Sequence, residues 1–417
     1  MTRVHVVGAG LAGLAAAVRL AAAGRLVTVY ESSGHAGGRC RSFHDSVLGA
    51  VIDNGNHMLL SGNRSVMAYL DETGAADPLS GPGDAAFPFV DLASGARWTV
   101  RPNAGPVPWW ILCPGRRPPG TRPVDFLAAL RLRQAGPAAT VEEVLGDTGA
   151  LYARFWEPLA VAALNTPADR AAAAPLWQVL TETFAGGAAL CRPLAARTSL
   201  SDSFVTPALS TLAAAGADIR YAHRLKGVER RNGAISYLDF SDTGVVVQSA
   251  DSVILALPPA GLKAVFPDMA LPDGSHAIVN AHFRLAAPLS AGDDVSMLGL
   301  VGGLAHWLFI RGDIVSVTVS AADELALEPA DSIACRLWRD VCHALDWRGA
   351  AIPPYRIVKE RRATFSQTPA AMRLRAKTRT ATANLYLAGD WTDTGLPATI
   401  ESAIRSGHAA AQAVLGG

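Results

Sequence analysis

Short, unbroken apolar runs punctuate the chain at widely separated places: Val4–Val7, Val27–Tyr30, Ser252–Leu257 and Asn384–Ala388. Such runs, bounded by turn residues, predict strands buried on both faces, as in a parallel sheet. An Ala/Leu-rich segment from Leu11 to Gly24 predicts a helix between the first two strands. Helical patterning returns at Asn63–Leu70, Pro123–Arg133, Thr181–Leu190 and Phe204–Ala215. Thr140-Val141-Glu142-Glu143 reads as a capping box that opens a helical region reaching Leu164. Asp218–Tyr221 and Leu225–Arg230 read as short strands, and Ser252–Leu257 is ended by Pro258-Pro259. Further strands are expected near Ala277–Leu285, Ala305–Phe309 and Ile314–Val319. Helices are expected near Ala330–Leu345 and over Ala398–Leu415, and no internal repeat is visible.

The first strand–helix–strand unit carries chemistry. Gly8-Ala9-Gly10-Leu11-Ala12-Gly13 follows the strand and opens the helix. In a dinucleotide fold Gly8 permits the tight turn, Gly10 lets backbone approach a pyrophosphate, and Gly13 lets helix and strand pack closely. The free N–H groups at Leu11 and Ala12 then face the phosphates. Glu31 ends the second strand about 20 residues on, where a carboxylate accepts from ribose hydroxyls. That acid argues against a 2′-phosphate but does not separate NAD from FAD. Gly37-Gly38-Arg39 suits a loop returning to the dinucleotide, with Arg39 a phosphate donor. Asp53-Asn54-Gly55-Asn56-His57 is a polar cluster between apolar runs, either a turn or a cofactor face. Near the C-terminus strand, loop and helix recur, and the Gly389–Pro397 loop precedes the expected helix over Ala398–Leu415. That helix start could stabilise charge on a reduced flavin, and Asp390 could bind ribityl hydroxyls.

Composition narrows the field. A length of 417 residues suggests two or three domains, half the residues are apolar, and net charge is +1. Nothing here suggests nucleic acid binding through bulk charge. Five dispersed cysteines, without a CxxC pair, read as reduced thiols in a cytoplasmic protein and argue against a zinc or iron–sulfur site. Arg3 and the apolar run after it could be mistaken for a signal peptide, but the first strand of the nucleotide fold starts at Val4. No apolar run is long enough to cross a bilayer.

Together the Gly8–Gly13 fingerprint with Glu31, Gly37-Gly38-Arg39, and Leu387-Ala388-Gly389-Asp390 with Ile400–Gly407 resemble the flavin amine oxidase and phytoene desaturase superfamily. The resemblance implies an α/β fold: an FAD-binding Rossmann-like domain of the glutathione-reductase type, with an inserted α+β substrate domain. The first would comprise residues 1–60, 200–262 and 378–417, and the second residues 61–199 and 263–377. Ser402 stands where the superfamily usually has glycine, and its small size should spare the helix start. Within the superfamily the chain is most similar to the hydroxysqualene dehydroxylase family. Asp53–Asn63, Phe155–Leu159, Leu164–Pro167, Lys359–Phe365, Gly389–Thr392 and Gly395–Glu401 carry that similarity. It implies non-covalent FAD, conversion of hydroxysqualene to squalene in bacterial squalene and hopanoid synthesis, and association with other enzymes of that pathway. The cofactor residues carried over are Gly8, Gly10, Leu11, Ala12, Gly13, Glu31, Gly37, Gly38, Arg39, Asn56, His57, Val228, Gly389, Asp390, Thr399 and Ile400. No metal is expected.

Replacing an allylic hydroxyl by hydride needs a stabilised leaving oxygen and a dry, aromatic-lined pocket. His57 and Glu401 are the candidate acids, with Asp53 third. Trp109, Trp110, Trp156, Trp177, Trp307 and Trp391 could line the pocket, although core packing explains most tryptophans. Pro108–Leu112 with Arg116 and Arg117 reads either as a membrane-contacting lip or as an inner tunnel wall beside a solvated basic loop. Three rivals remain. A polyisoprenoid desaturase would move hydride the other way. A flavin amine oxidase is disfavoured because Ala277–Phe283 carries no lysine. A non-catalytic lipid carrier would keep the flavin as a structural group. One dinucleotide fingerprint implies a separate electron donor, with direct NAD(P)H docking as the alternative.

Overall fold

Period-2 alternation explains the first layer. Val4, Val6, Val27, Val29 and Ile254 point to one side of a sheet, while Val7, Tyr30, Val253 and Leu255 point to the other. The structure, a computed structural model, describes residues 2–240, 243–289, 295–347, 349 and 351–416. Five parallel strands lie in the order Asp218–Arg220, Leu26–Tyr30, Arg3–Val7, Ser252–Leu255 and Leu385–Leu387. Helices Leu11–Ala22, Arg64–Glu72, Thr206–Ala214 and Ile400–Leu415 cover one face. An antiparallel meander, Leu225–Arg231, Ala234–Phe240 and Gly244–Val246, covers the other through Ile235, Leu238 and Phe240. Both faces are therefore dry, which is why the strands read as unbroken apolar runs. This is the Rossmann-like α/β architecture the resemblance implies.

The first and last helices cross at close range. A Cβ on Gly407 would stand 2.2 Å from the Ala12 carbonyl oxygen, so only glycine permits the contact. Arg64–Glu72 differs from expectation. The sequence places it in the second domain, yet Val66, Tyr69 and Leu70 bury in the helical layer of the first.

A second sheet has seven strands, in the order Tyr355–Phe365, Ser275–Arg284, Ile314–Val319, Trp307–Arg311, Ser296–Val301, Phe87–Asp91 and Arg97–Val100. Its neighbours are antiparallel except Ser296–Val301 beside Phe87–Asp91. The amphipathic helix Ala330–Ala344 packs Ile333, Leu337, Trp338 and Val341 on one side of it. Short helical segments between Trp109 and Glu182 pack on Phe89, Trp307 and Phe309.

Several elements depart from the periodicity. The expected helix over 181–190 sits earlier, at Ala173–Glu182, and stops where Thr183 leaves helical geometry and Gly187 takes φ +75°. The expected continuous helix up to Leu164 is broken, with a π-helical turn at Tyr152–Trp156 before Glu157–Leu164. A second π turn, Ser201–Val205, precedes Thr206–Ala214. In each case a proline, Pro158 or Pro207, follows within two residues. A proline has no N–H for the regular ladder, and the wider turn absorbs the loss.

Candidate active site

A cavity of about 1570 Å³ runs from the glycine turn of the first sheet to the aromatic face of the second. The three fingerprint glycines differ in what surrounds them. Gly8 has φ +107°, and a Cβ there would meet the Ala256 carbonyl oxygen at 2.5 Å. A Cβ on Gly13 would come within 1.9 Å of the Gly8 carbonyl oxygen, so this glycine serves packing and does not line the cavity. Gly10 faces open space: nothing lies within 4 Å of a Cβ built there. The Leu11–Ala22 helix starts at Gly10 with no side-chain cap, and Leu11 and Ala12 line the cavity. Uncapped N–H groups facing an open space fit a dinucleotide phosphate.

Glu31 is buried on the same wall. Its Oε2 accepts from the Ala9 N–H at 2.9 Å and its Oε1 from the Ser33 N–H at 2.9 Å, which fixes the carboxylate at the end of its strand. Gly37, Gly38 and Arg39 follow along the wall. Arg39 pairs with Asp390 at 2.8 Å and also donates to the Ala363 carbonyl. The Asp390 carboxylate holds the guanidinium pKa above its ordinary value. Gly389, Asp390, Thr399 and Ile400 close the far side. The Thr399 hydroxyl caps the Ile400–Leu415 helix by accepting from the Ser402 N–H. Ser402 itself bonds the Asp390 carbonyl and the Thr394 hydroxyl, so serine supports the loop it borders.

Where the two sheets meet the wall turns polar. Asn56, His57, Asn280 and Thr318 line it. Thr318 donates to Asn280 Oδ1 at 2.8 Å, and Asn56 Nδ2 donates to Thr318 Oγ1 at 3.1 Å. Burial pushes the His57 imidazole down to about 4, against an opposing pull from Asp53. It is therefore neutral at pH 7, with one ring N–H to donate.

The other proposed acids are placed differently. Asp53 does not line the cavity; it accepts from the Leu200 N–H at 2.9 Å and the Ser42 hydroxyl at 2.6 Å, and it faces Arg311 at 3.3 Å. Glu401 reaches the wall, but its oxygens accept from the Ser65 and Val66 N–H groups at 3.0 and 2.9 Å, and Arg405 lies 3.0 Å away. It caps the Arg64–Glu72 helix, which has no cap of its own. Both carboxylates are already engaged by protein donors. Val228 is a further correction: it lies off the wall, and Leu225 and Lys226 of the same strand line it instead.

The remaining third of the cavity is apolar and aromatic, with Phe87, Phe89, Phe155, Phe184, Trp307 and Phe309 on its wall. Phe89 meets Trp307 edge-on at 5.4 Å. Of the six tryptophans singled out in the sequence, Trp307 and Trp391 reach the cavity. Trp391 is itself core, its indole N–H bonded to the Leu257 carbonyl. Trp110 and Trp156 are buried outside the wall, and Trp109 faces outward. Two residues were not foreseen. The Arg375 guanidinium is buried and donates to the carbonyls of Asp390, Thr392 and Leu396, which clamps the Gly389–Pro397 loop. Gln367, fully buried, bonds Leu164 and Ala398 and so ties the two layers together. Neither sits in a motif; each works through partners distant in sequence.

The comparisons agree with this geometry. The family model for flavin containing amine oxidoreductase matches residues 11–415. A protein of Sinorhizobium fredii named hydroxysqualene dehydroxylase is 44% identical over 99% of this chain and 98% of its own length. One of the same name from Rhodopseudomonas palustris is 42% identical over 99% and 98%. The fold matches a structure of wild-type putrescine oxidase with TM-score 0.72 over 100% of this chain and 99% of that one, at 16% identity. Sequence likeness from end to end, on a glycine-lined cavity that opens into an aromatic pocket, places the chain in the flavin-containing amine oxidoreductase family, in the branch formed by the hydroxysqualene dehydroxylases.

Proposed function

We propose that this flavin-dependent oxidoreductase binds FAD non-covalently and removes the allylic hydroxyl of hydroxysqualene to form squalene. The observation that carries the reading is one cavity with a dinucleotide cradle at one end and an aromatic pocket at the other, in a chain whose full-length relatives bear that name. Fully reduced flavin, when bound, would supply both a hydride and a proton, so that the hydride replaces the hydroxyl and the hydroxyl takes up the proton and leaves as water, with the flavin oxidised. Glu31, Gly10 and the uncapped helix start hold the dinucleotide. Cys40 lies on the wall, but burial pushes its thiol far above its ordinary value, so it is a poor nucleophile for a flavin linkage. The aromatic side chains exclude water and offer π faces to an allylic cation. His57, neutral and with no protein hydrogen-bond partner among the described residues, steadies the departing oxygen by a hydrogen bond from its ring N–H and keeps that proton. Electrons come from a separate donor. None of the five thiols is disulfide-bonded, which suits a reducing compartment such as the cytoplasm.

The test is anaerobic incubation of the FAD-loaded protein with hydroxysqualene and a chemical reductant. Squalene should form, and only with reduced FAD. His57→Gln should lower kcat by roughly 100-fold, in the range of a lost hydrogen-bond donor to oxygen that gains negative charge in the transition state. Absence of squalene, with oxidation of a polyene by the oxidised protein, would reverse the hydride direction and make this a desaturase.

A further inference from the structure

Pro108–Leu112 does not form a single wall. Trp110 turns inward and is buried, while its neighbours turn out: Val107 is 70% exposed, Trp109 46% and Leu112 64%. A second segment repeats the arrangement. Pro123–Ala128 is a 3₁₀ turn that continues into the helix Ala129–Gln134. Val124, Leu127 and Leu130, spaced by three and so on one side, are 57%, 56% and 58% exposed, while Phe126, Ala128 and Leu132 are buried. The segments are locked together by Trp110 edge-on to Phe126, with centroids 5.2 Å apart. Behind them Phe126 lies 6.2 Å from Phe155, which is on the cavity wall. The apolar surface therefore backs directly onto the aromatic pocket.

Charge concentrates in the same stretch. Residues 101–134 hold six arginines and one acid, Asp125, whereas the whole chain has net charge +1. Arg101, Arg122 and Arg131 pair with Asp84, Asp125 and Asp147. Arg116 and Arg133 have no carboxylate partner among the described residues, whereas Arg117 donates to the Thr121 hydroxyl and lies within the field of Asp125. Arg116 stacks over the outward face of Trp109 at 4.9 Å. A tryptophan under an arginine, beside exposed aliphatic side chains, is the pairing that suits a headgroup layer.

We propose that this face docks on an anionic lipid bilayer. Val107, Trp109, Leu112, Val124, Leu127 and Leu130 enter the headgroup boundary, and Arg116 and Arg133 meet lipid phosphates. No helix among the described residues is long and apolar enough to cross a membrane, so the contact is peripheral. That the bilayer also delivers substrate rests on the function proposed above; the docking surface itself does not.

The experiment is flotation of the FAD-loaded full chain with vesicles of phosphatidylcholine, with and without phosphatidylglycerol, in the absence of substrate. Binding to the anionic vesicles is expected. It should fall at least tenfold in the combined variant Leu112→Glu and Leu127→Glu, and about fivefold for each of Arg116→Gln and Arg133→Gln. Flavin absorbance confirms that each variant is folded. Brominated lipid should quench tryptophan emission in the native protein and much less in Trp109→Phe. No binding to either vesicle, or binding that the variants leave unchanged, would overturn the proposal. So would self-association in sedimentation that the same variants abolish, because the face would then join copies of this chain. Because no turnover is read, vesicle binding without squalene formation would sink only the proposed reaction.

Discussion

His282 shows how much one buried side chain can set the acid limit of the fold. It is 1% exposed on the Ser275–Arg284 strand, its Nδ1 bonded to the Ser316 hydroxyl at 2.8 Å. Burial pushes its pKa down to about 4, against an opposing pull from Asp53. The unfolded imidazole titrates near its ordinary value of about 6.5. Between those values the unfolded chain takes up a proton that the native state refuses. Stability from this residue is therefore full above about pH 6.5 and falls as pH drops toward 4, by up to ~1.4 kcal/mol per pH unit. Urea melts in that window should show a flatter pH dependence for His282→Gln than for the native protein; an unchanged slope would refute the burial argument. Residue-level chemistry was legible where it is local. Gly8, Gly10, Gly13 and Glu31 act through neighbours within one strand–turn–helix unit, and His57 sits beside the polar turn that announces it. The partners of Asp53 and Glu401 were not legible, because Leu200 and Arg311 for one, Ser65 and Val66 for the other, lie far along the chain.

At the scale of elements, capping from a distance matters most. The Arg64–Glu72 helix takes the acceptor for its first turn from the Ile400–Leu415 helix. Glu401→Gln keeps the shape but weakens a charged acceptor and its pairing with Arg405, and should cost about 2 kcal/mol. Amide exchange at Ser65 and Val66 should speed up, while hydroxysqualene turnover at saturating FAD should stay within about tenfold of native. Turnover abolished with amide protection intact would restore Glu401 as the acid. Four strands of the first sheet were readable because both their faces are buried, the exposed edge strand Asp218–Arg220 being the exception. The Phe87–Asp91 and Arg97–Val100 pair was not, because Pro88 stands inside the first strand and the second is only four residues long. The break before Pro158 was hidden for a different reason: Ala- and Leu-rich flanks read as helix whichever turn width they adopt.

For the whole molecule, the cavity spans both sheets, so ligand binding and folding are linked. A ligand held by the native state alone adds about 2.7 kcal/mol at a hundredfold excess over its Kd. Protein stripped of flavin should gain that much in a denaturant melt when FAD is restored. No gain would mean that the glycine cradle does not grip the nucleotide. That the first sheet draws on separated segments could be read from its apolar runs and glycine turns. The aromatic composition of the pocket could not, since phenylalanines on four distant segments become neighbours only once the second sheet closes.

The contact of Gly407 with Ala12 has a consequence for synthesis. The helix that opens the nucleotide site leaves the ribosome well before the one that covers it. At ordinary translation rates the interval is on the order of tens of seconds. Throughout it, the apolar side of Leu11–Ala22 waits for its cover, and the strand Leu385–Leu387 is missing from the sheet edge. The nascent chain is thus a natural client for chaperones that shield apolar helices, and a complete flavin cradle forms only after the Ile400–Leu415 helix has been made.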